Sequence, residues 1–396
     1  MTSAASPSVH PYPFNRSEGL ALDDAYRSAQ HRPGMVRVRL PFGEPAWLAT
    51  RYEDARLVLG DRRFSTGTAR ERDAPRLRKS RIGGGILQTD PPEHTRLRTL
   101  VAKAFTARRV EDLRPRIRAL AEDLVDGMVA AGPPADLVED FALPLPVGVI
   151  CELLGVPVED RPRFRRWSDD LLSTSGLTER EFQRSFEELR AYLADLVAQH
   201  RAHPADDLMS ALIAARDERD RLNETELIDL CAAVLVAGHE TTATQIPNFV
   251  LVLLEHPREL AELREREELI PAAVEELMRY VPLGSAGSFA RYATEDVRVG
   301  EVLVRAGEPV LVAIGAANRD GSHFEAPDEL RFDRPRQHIG FGHGVHHCLG
   351  AQLARAELQE ALRVLLFRLP GLRLAGDVEW KSRMLVRGPR TMPIGW

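Results

Sequence analysis

The residues best suited to chemistry lie in one stretch, 341–350, which places a single cysteine among three histidines and three glycines. Glycines let the backbone approach a large flat ligand closely, because no side chain keeps the two apart. A helical pattern begins at Ala351, so the free N–H groups of that helix start would face Cys348 and favour its thiolate. A thiolate on a tight loop beside His346 is suited to bind a metal, whereas an isolated cysteine is more often a buried free thiol.

Zinc is one metal that such a loop could bind, since cysteine and histidine are its usual ligands. However, no second Cys/His pair occurs at ligand spacing elsewhere in the sequence. The stretch instead resembles the cysteine loop of cytochromes P450, Phe-Gly-x-Gly-x-His-x-Cys-x-Gly, at every fixed position. The resemblance implies that Cys348 is the axial thiolate ligand of a haem iron, which favours O–O cleavage, and that His346 binds a haem propionate. The remaining fixed positions of this loop are Phe341, Gly342, Gly344 and Gly350, of which Phe341, Gly342 and Gly350 are assigned to cofactor binding.

Two further segments resemble parts of the same family that bind haem. Residues 90–93 have the composition of a helix start with Asp90 as the cap, and His94 and Arg98 follow four residues apart on one helix face. Alone, such a pair is usually a surface contact. Because the segment resembles the family's C-helix, the resemblance implies that His94 and Arg98 bind propionates, and Arg291 matches a third propionate-binding position.

A long apolar helix is expected from Asn223, its predicted cap, to about residue 255. Its middle, 237–242, carries an acid and hydroxyls, which are costly to bury unless they are bonded or useful. One interpretation is structural, with a threonine bonded back to a helix carbonyl. The segment also resembles the family's I-helix motif, which implies a helix locally opened over the haem. In that motif Thr241 steadies dioxygen and a water, and Glu240 belongs to the path that delivers protons.

Glu276 and Arg279 lie three residues apart on a predicted helix upstream of the cysteine loop. In that place they resemble the family's Glu-x-x-Arg pair, which implies a structural role. The segment before the loop is about three residues shorter than the family pattern, so either Arg334 or Arg336 could complete the pair's ion network. The substrate pocket is expected from residues that flank these motifs: Ile86, Leu87, Ala233, Ala237, Leu283, Ser285 and Met384.

The composition is that of an ordinary globular protein, with 44% hydrophobic and 28% charged residues among 396. A net charge of −6 argues against a general nucleic-acid binder. The three cysteines lie far apart, imply no disulfide framework and fit a reducing compartment. There is no signal-like start and no apolar run of about 18 residues, so the expectation is a cytoplasmic protein without a membrane anchor.

Helical periods dominate from residue 51 to about residue 280, and strand patterns occur at 36–50, 302–312 and 372–386. The motifs follow one another in the family's order. The resemblance therefore implies one mainly α domain over residues 1–396 with the cytochrome P450 fold. The haem would lie between the long central helix and the cysteine-loop helix, beside a small β region. Residues 1–15 are expected to form a loose arm.

The resemblance implies a haem-thiolate monooxygenase that uses haem b and O2. Electrons would come from ferredoxin and an NAD(P)H-dependent ferredoxin reductase, because the chain carries no flavin or iron–sulfur motif. Segments 104–109, 235–246 and 315–320 look most like actinobacterial enzymes that tailor macrolides, which favours hydroxylation or epoxidation of a polyketide in antibiotic biosynthesis. A terpenoid or carrier-protein-bound substrate stays open. So do a haem-thiolate isomerase or peroxide-using enzyme and a haem sensor or carrier, whereas a zinc hydrolase fits the pattern least.

Overall fold

The computed structural model describes residues 8–16, 18–79, 85–174, 177–217, 222–284, 289–335 and 337–396. Two residues singled out in the sequence, Ser285 and Arg336, lie outside these ranges. Within them, no helix is both long enough and apolar enough to cross a membrane.

Helices form most of the described chain, as predicted. Their bounds in chain order are α1 (Asp24–Gln30), α2 (Tyr52–Gly60), α3 (Glu93–Ala102), α4 (Ala107–Ala131), α5 (Pro144–Leu154), α6 (Arg161–Leu172), α7 (Glu179–Ala202), α8 (Leu208–Asp217), α9 (Glu224–Glu255), α10 (Pro257–Glu265), α11 (Ile270–Tyr280), α12 (Ile314–Ala317) and α13 (Ala351–Arg368).

The long helix α9 begins where the sequence predicts. Asn223 Oδ1 accepts a hydrogen bond from Glu226 N at 2.8 Å, and the Glu226 carboxylate accepts one from Asn223 N at 2.9 Å. Each side chain thus satisfies a backbone N–H that the first turn leaves free. The helix has 32 residues, a length of about 48 Å at 1.5 Å per residue.

Helices α9 and α13 form the centre of the main hydrophobic core. Helix α13 packs against α4, α9 and α11, and α9 packs against α5 and α7 as well. Phe249 and Leu253 of α9 and Leu362 and Leu365 of α13 are essentially inaccessible and belong to one cluster of buried side chains. The cysteine loop, which immediately precedes α13, is therefore attached to the centre of the hydrophobic core.

The strands are short. Their bounds are β1 (Val9–Pro11), β2 (Val36–Arg39), β3 (Ala46–Ala49), β4 (Phe64–Ser65), β5 (Ala135–Asp136), β6 (Arg291–Ala293), β7 (Val297–Val299), β8 (Val302–Val304), β9 (Pro309–Val312), β10 (Arg373–Leu374), β11 (Glu379–Trp380), β12 (Pro389–Thr391) and β13 (Pro393–Gly395).

The largest sheet has the strand order β1-β2-β3-β9-β6-β4. The predicted hairpin of β2 and β3 is antiparallel, with Val38 opposite Ala46. Strand β3 runs parallel to β9, and β6 pairs with β9 so that Arg291 lies opposite Val310. Arg291 is thus fixed by a strand inside a sheet rather than by a loop. Smaller sheets join β10 to β13 and β5, β11 to β12, and β7 to β8.

The expectation of a loose arm over residues 1–15 is wrong for the described part of that segment. Strand β1 pairs in parallel with β2, and Tyr12 N donates to Arg39 O at 3.0 Å. The ring of Tyr12 is 4% exposed and packs edge-on against Phe14 and Tyr26. The buried aromatic side chains hold this segment on the protein, although its sequence shows neither a helical nor a strand pattern.

The expected strand at 384–386 is also wrong. Met384 and Val386 form only isolated bridges, to Ser173 and Gly284 respectively. The two bridges lead to different segments, so no continuous ladder forms. The segment instead joins the end of α6 to the chain that follows α11.

Candidate haem site

The cysteine loop is held in place by its own backbone and by helix α2. Cys348 N donates to Phe341 O at 2.8 Å, which closes the loop. Gly344 has φ = +73°, a conformation that side chains disfavour, and a Cβ there would collide with the carbonyl of Leu59. The glycine is therefore required by both its backbone angle and its neighbour.

The Cys348 thiol is accessible and lies three residues before the start of α13. The protein around it nevertheless raises the pKa of the thiol by burial, and the backbone N–H of Gly350 and the charges of Arg98 and Arg355 lower it only in part. The start of α13 thus favours the thiolate, as expected, but burial of the thiol outweighs this in the protein alone. A bound metal ion would displace the proton, since thiolate is the form that coordinates.

His94 and His346 lie side by side near this loop. Their rings are 4.3 Å apart between centroids, and His94 is 2% exposed. His346 Nε2 is 3.1 Å from the Thr66 hydroxyl. Burial, followed by the charges of Arg291 and His94, lowers the pKa of His346 to about 4. Burial and the nearby positive charges thus disfavour protonation of both imidazoles. The same surroundings favour the binding of an anion.

Two arginines complete this cluster. Arg98 Nη2 donates to His347 O at 2.7 Å, which ties α3 to the cysteine loop. Arg291 is 6% exposed, and its Nε is a buried donor without a hydrogen-bond partner in the described ranges. Burial lowers the pKa of Arg291 to about 10, which the charge of Asp90 opposes. Since a buried guanidinium normally binds acceptors, this donor indicates a site for carboxylate groups.

Asp90 does not cap α3 as predicted. The cap position is Pro92, without a side-chain hydrogen bond. The Asp90 carboxylate instead accepts hydrogen bonds from Thr66 N at 2.9 Å and Gly67 N at 3.1 Å, and another from the Ser65 hydroxyl. The Thr66 hydroxyl donates as well, at 3.1 Å. Residues 65–67 thus offer the carboxylate four donors, which outweigh a single bond to the helix start. Asp90 therefore joins the turn that contacts His346 to the helix that carries His94.

The α9 motif presents two different faces. Ala237 is exposed and Thr241 is half-buried, so both border accessible space, and Ala233 lies one turn earlier on the same side. Thr241 Oγ1 donates to Ala237 O at 3.0 Å, within a helix that runs continuously through the motif. The hydrogen bond that the structural interpretation requires is present, the proton role of Thr241 stays a prediction, and the local helix opening implied by the resemblance is not observed within α9.

Glu240 occupies the other face of the helix and is fully buried. Its Oε1 atom lies 2.6 Å from Lys381 Nζ and accepts a hydrogen bond from the Thr244 hydroxyl at 3.2 Å. The sequence analysis missed Lys381. No local pattern could have found it, because 141 residues separate it from Glu240.

Apart from Ala233 and Ala237 on α9, the predicted pocket residues that the structure describes fall into two groups. Leu283 and Met384 are joined through the segment that follows Met384, because Arg387 N donates to Leu283 O at 2.8 Å. Ile86 and Leu87 lie in a short helical turn before α3; Ile86 packs against the main core and Leu87 is exposed. Ser285 lies outside the described residues. The pocket assignment thus stays a prediction, with Leu283 and Met384 as its best-connected pair.

The Glu276–Arg279 pair forms the predicted ion network. Arg279 Nη2 lies 2.7 Å from Glu276 Oε1, and Arg334 Nε lies 3.0 Å from the same oxygen. Arg279 Nη1 also donates to the carbonyls of Asn318 and Pro327. Of the two arginines left open by the sequence, Arg334 fills the position. The network ties α11 to the chain that leads into the cysteine loop.

A cluster suited to zinc is not found. Across the ranges that the structure describes, no three or more His, Cys, Asp and Glu side chains are arranged to bind a metal ion together. Cys348 therefore stands as a lone metal ligand. A single thiolate suits haem iron, because the porphyrin supplies the equatorial ligands, and does not suit zinc.

Comparison with known proteins agrees with this geometry. The family model described as Cytochrome P450 matches residues 158–369. Mycinamicin IV hydroxylase/epoxidase of Micromonospora griseorubida is 56% identical over 389 residues, which is 97% of this chain and 98% of that protein. Nocardicin C N-oxygenase of Nocardia uniformis subsp. tsuyamanensis is 50% identical over 391 residues, 97% and 98% of the two chains.

A solved structure extends the similarity to three dimensions. A mutant of the mixed-function P450 MycG in complex with mycinamicin IV superposes with a TM-score of 0.92 at 55% identity, covering 98% of this chain and 100% of that one. The chain belongs to the cytochrome P450 family. The predicted fold and enzyme class are confirmed: it is a monooxygenase that uses haem iron and O2.

The residues present fit a haem. Cys348 is an accessible free thiol that could bind the iron, and four histidine and arginine side chains converge near it. Among the charges that act on these histidines, Asp90 is the one carboxylate. Two propionates would supply the acceptors that this cluster, including the unpartnered Arg291 Nε, requires.

Proposed function

We propose that this protein hydroxylates or epoxidises a macrolide or a related polyketide in antibiotic biosynthesis. The observation that carries the oxygenase chemistry is the accessible Cys348 beside the cluster of His94, Arg98, Arg291 and His346. The substrate class rests on similarity, since a relative 56% identical over nearly the whole chain is a mycinamicin IV hydroxylase/epoxidase. A related fold can carry other substrates, so the substrate must be tested directly.

Each site residue has a distinct role in this proposal. When bound, a haem would supply an iron centre that activates O2, and the Cys348 thiolate would hold that iron. His94, Arg98, Arg291 and His346 bind the propionates through charge-assisted hydrogen bonds. The glycines of the cysteine loop, Gly342 and Gly350 among them, let the backbone approach the ring, and Phe341 packs beside the loop.

Thr241 and Glu240 handle protons. The Thr241 hydroxyl borders accessible space and can exchange its bond to Ala237 O for a bond to a water or to the oxygen substrate. Glu240, the preceding residue, lies about 100° around the helix from Thr241 and is bonded to the buried polar groups Lys381 and Thr244. Proton delivery therefore requires the two neighbouring residues to act from different faces of α9.

Electrons reach the site, in this proposal, from ferredoxin and an NAD(P)H-dependent ferredoxin reductase in the cytoplasm, and the chain itself binds no flavin or iron–sulfur centre. Lys103, Arg108 and Arg109 are exposed around the junction of α3 and α4, and α4 packs against α13 directly behind the cysteine loop. An exposed basic surface in this place suits an acidic electron donor.

The test has two stages. The dithionite-reduced holoprotein is measured with and without carbon monoxide, and a strongly red-shifted Soret band is expected for thiolate ligation, with Cys348→Ala as the control that loses it. A band typical of histidine-ligated haem would overturn the haem-thiolate assignment. Mycinamicin IV is then titrated into the ferric protein and incubated with ferredoxin, reductase and NAD(P)H. A spectral shift and an oxygenated product are expected, and absence of both would overturn the macrolide assignment.

A further inference from the structure

Lys381 reaches α9 from a segment that is remote in sequence. Its Nζ lies 2.6 Å from Glu240 Oε1 and 2.9 Å from the Thr244 hydroxyl, which itself donates to the same carboxyl oxygen. The side chains of Lys381 and Glu240 are 11% and 1% exposed, so water screens this ion pair very little. The second carboxyl oxygen, Oε2, is buried and has no hydrogen-bond partner in the part of the chain that the structure describes.

The backbone fixes Lys381 in this position. Lys381 N donates to Gly388 O at 2.9 Å, and Asn248 Nδ2 donates to Arg387 O at 3.0 Å, so the segment between β11 and β12 is bonded to α9. Gly388 lies so close to the helix that a Cβ there would be 2.9 Å from Asn248 Oδ1. The lysine therefore approaches Glu240 because its segment is packed on α9, and not as a freely moving surface side chain.

The ion pair lies about a quarter turn around α9 from the accessible side that Ala237 and Thr241 share. Ala237 and Thr241 border accessible space, whereas Glu240 is enclosed and bonded to Lys381 and Thr244. We propose that Lys381 is a positioning residue for proton delivery: it holds Glu240 in a closed arrangement, and opening of this ion pair lets the carboxyl group carry a proton to the Thr241 face. This inference rests on the proposed monooxygenase function and names a residue that the family motif does not contain.

The groups around the pair suggest where the proton enters. Asp169 on α6 can reach solvent. Partial burial of its carboxyl, followed by the charge of Glu240, raises its pKa to about 6, whereas the charges of Arg165 and Lys381 lower it. Arg165 is itself paired with Glu139. His239 Nδ1 donates to Leu235 O at 3.0 Å, and its Nε2 has no hydrogen-bond partner among the described residues. In the proposed transfer, the Asp169 carboxyl passes its proton through water to Glu240 and is reprotonated from solvent, and Glu240 passes a proton to a water bonded to the Thr241 hydroxyl. Lys381 keeps its protons and no electrons move in this transfer.

The kinetic test uses the holoprotein reduced by ferredoxin and reductase, without added substrate, and follows O2 consumption in H2O and D2O. According to the inference, opening of the Lys381–Glu240 ion pair limits the rate of O2 consumption in the wild type. It therefore masks part of the solvent isotope effect on proton transfer. Lys381→Met removes that step, so the rate should rise about three-fold or more and the isotope effect should increase. Lys381→Arg should stay near the wild type, and so should Arg390→Met, an exposed control on β12.

A second arm asks whether Lys381 acts through Glu240. In the Glu240→Gln background, Lys381→Met should change neither the rate nor the isotope effect, because there is no carboxylate to hold. The same four proteins give a readout independent of turnover: Lys381→Met should lower the thermal midpoint by leaving a buried carboxylate unpaired, and the double variant should regain most of that loss.

Three results would overturn the inference. The first is unchanged kinetics in Lys381→Met, and the second is an equal effect of Lys381→Met with Glu240 and with Gln at position 240. The third is a change in thermal midpoint of the double variant that equals the sum of the changes in the two single variants. A wild type that fails to bind haem with thiolate ligation would instead overturn the proposed function, so the two failures are distinguishable.

Discussion

Arg279 and Arg334 share one oxygen of Glu276, at 2.7 and 3.0 Å, and the three side chains are between 2% and 8% exposed. One carboxylate thus neutralises two buried guanidinium groups only in part. Backbone carbonyls complete the compensation, including those of Asn318 and Pro327 for Arg279 and Ala326 for Arg334. The network holds a stretch without regular structure against α11 by polar bonds rather than by apolar packing.

Replacing Arg334 by Ala should therefore destabilise the protein by about 3–5 kcal/mol, because it removes one partner of a buried ion network. Chemical unfolding monitored by circular dichroism measures the change. The matched control is Arg331→Ala, since Arg331 pairs with Asp333 at an exposed position, where a loss of less than about 1 kcal/mol is expected. Equal losses in the two variants would contradict the assigned network.

Thr241→Ala should retain haem and the thiolate spectrum but divert reducing equivalents to hydrogen peroxide. The bond to Ala237 O adds little to stability, since helix backbone bonds persist without it. Peroxide formed per NAD(P)H consumed is the measurement, and Thr241→Ser should remain near the wild type because it keeps the hydroxyl. Unchanged coupling in Thr241→Ala would rule out the proposed proton role.

Arg291→Gln should lower the haem content of the purified protein, because the guanidinium is buried beside the two histidines with a free donor. The ratio of Soret to protein absorbance after gel filtration reports the retained haem. Arg63→Gln is a suitable control, since Arg63 pairs with Asp61 on the surface. Full haem retention in Arg291→Gln would argue against its propionate role.

The lowered pKa of Glu275 predicts that the free energy of unfolding decreases in acid. Burial alone would raise the pKa of its carboxyl, but hydrogen bonds from His338 and Arg355 outweigh burial and lower it to about 2. Because the unfolded carboxyl titrates near 4.3, the stabilisation is complete above that pH and disappears as pH falls towards 2. Glu275→Gln should cost about 3 kcal/mol at pH 7 and almost nothing near pH 2. Urea unfolding between pH 3 and 7 tests this, and a gap independent of pH would refute it.

The raised pKa of Glu357 on α13 predicts that the free energy of unfolding changes with pH in the opposite direction. Glu357 is fully buried, and neither carboxyl oxygen has a hydrogen-bond partner of good geometry within the described ranges, although Thr242 lies close by. Burial raises the pKa of Glu357 to about 8. Between the unfolded value near 4.3 and 8 the folded protein binds the extra proton, so stability falls with rising pH by about 1.4 kcal/mol per unit.

Glu357→Gln should remove this pH dependence. The variant should match the wild type near pH 5 and exceed it in thermal midpoint at pH 8. Thermal unfolding at the two pH values is the measurement. A difference of the same size at both would show that the carboxyl does not carry a proton in the folded protein.

Features that depend on neighbouring residues could be predicted from the sequence. The reciprocal cap of Asn223 and Glu226, the β2–β3 hairpin and the pairing of Glu276 with Arg279 all join residues close in the chain, so residue type and spacing determine them. The cysteine loop was found for the same reason.

Features that depend on distant contacts could not be predicted. Asp90 was expected to cap a helix and instead binds the turn after β4, about 24 residues earlier. Lys381 meets Glu240 only because the C-terminal segment packs on α9. Nothing in a local pattern indicates which of several donors a carboxylate will reach once the chain is folded, and the same applies to the choice between Arg334 and Arg336.

Strand β13 has a consequence for how the chain is made. Ile394 pairs with Ala135, roughly 260 positions earlier, and Met392 and Ile394 are inaccessible in the same core as α9 and α13. Synthesis proceeds from the N-terminal end, so β5 waits for its partner until almost the whole chain has been translated. Native packing is therefore completed late, and polypeptides released early by a premature stop codon should be open to proteases despite containing every residue of the haem site.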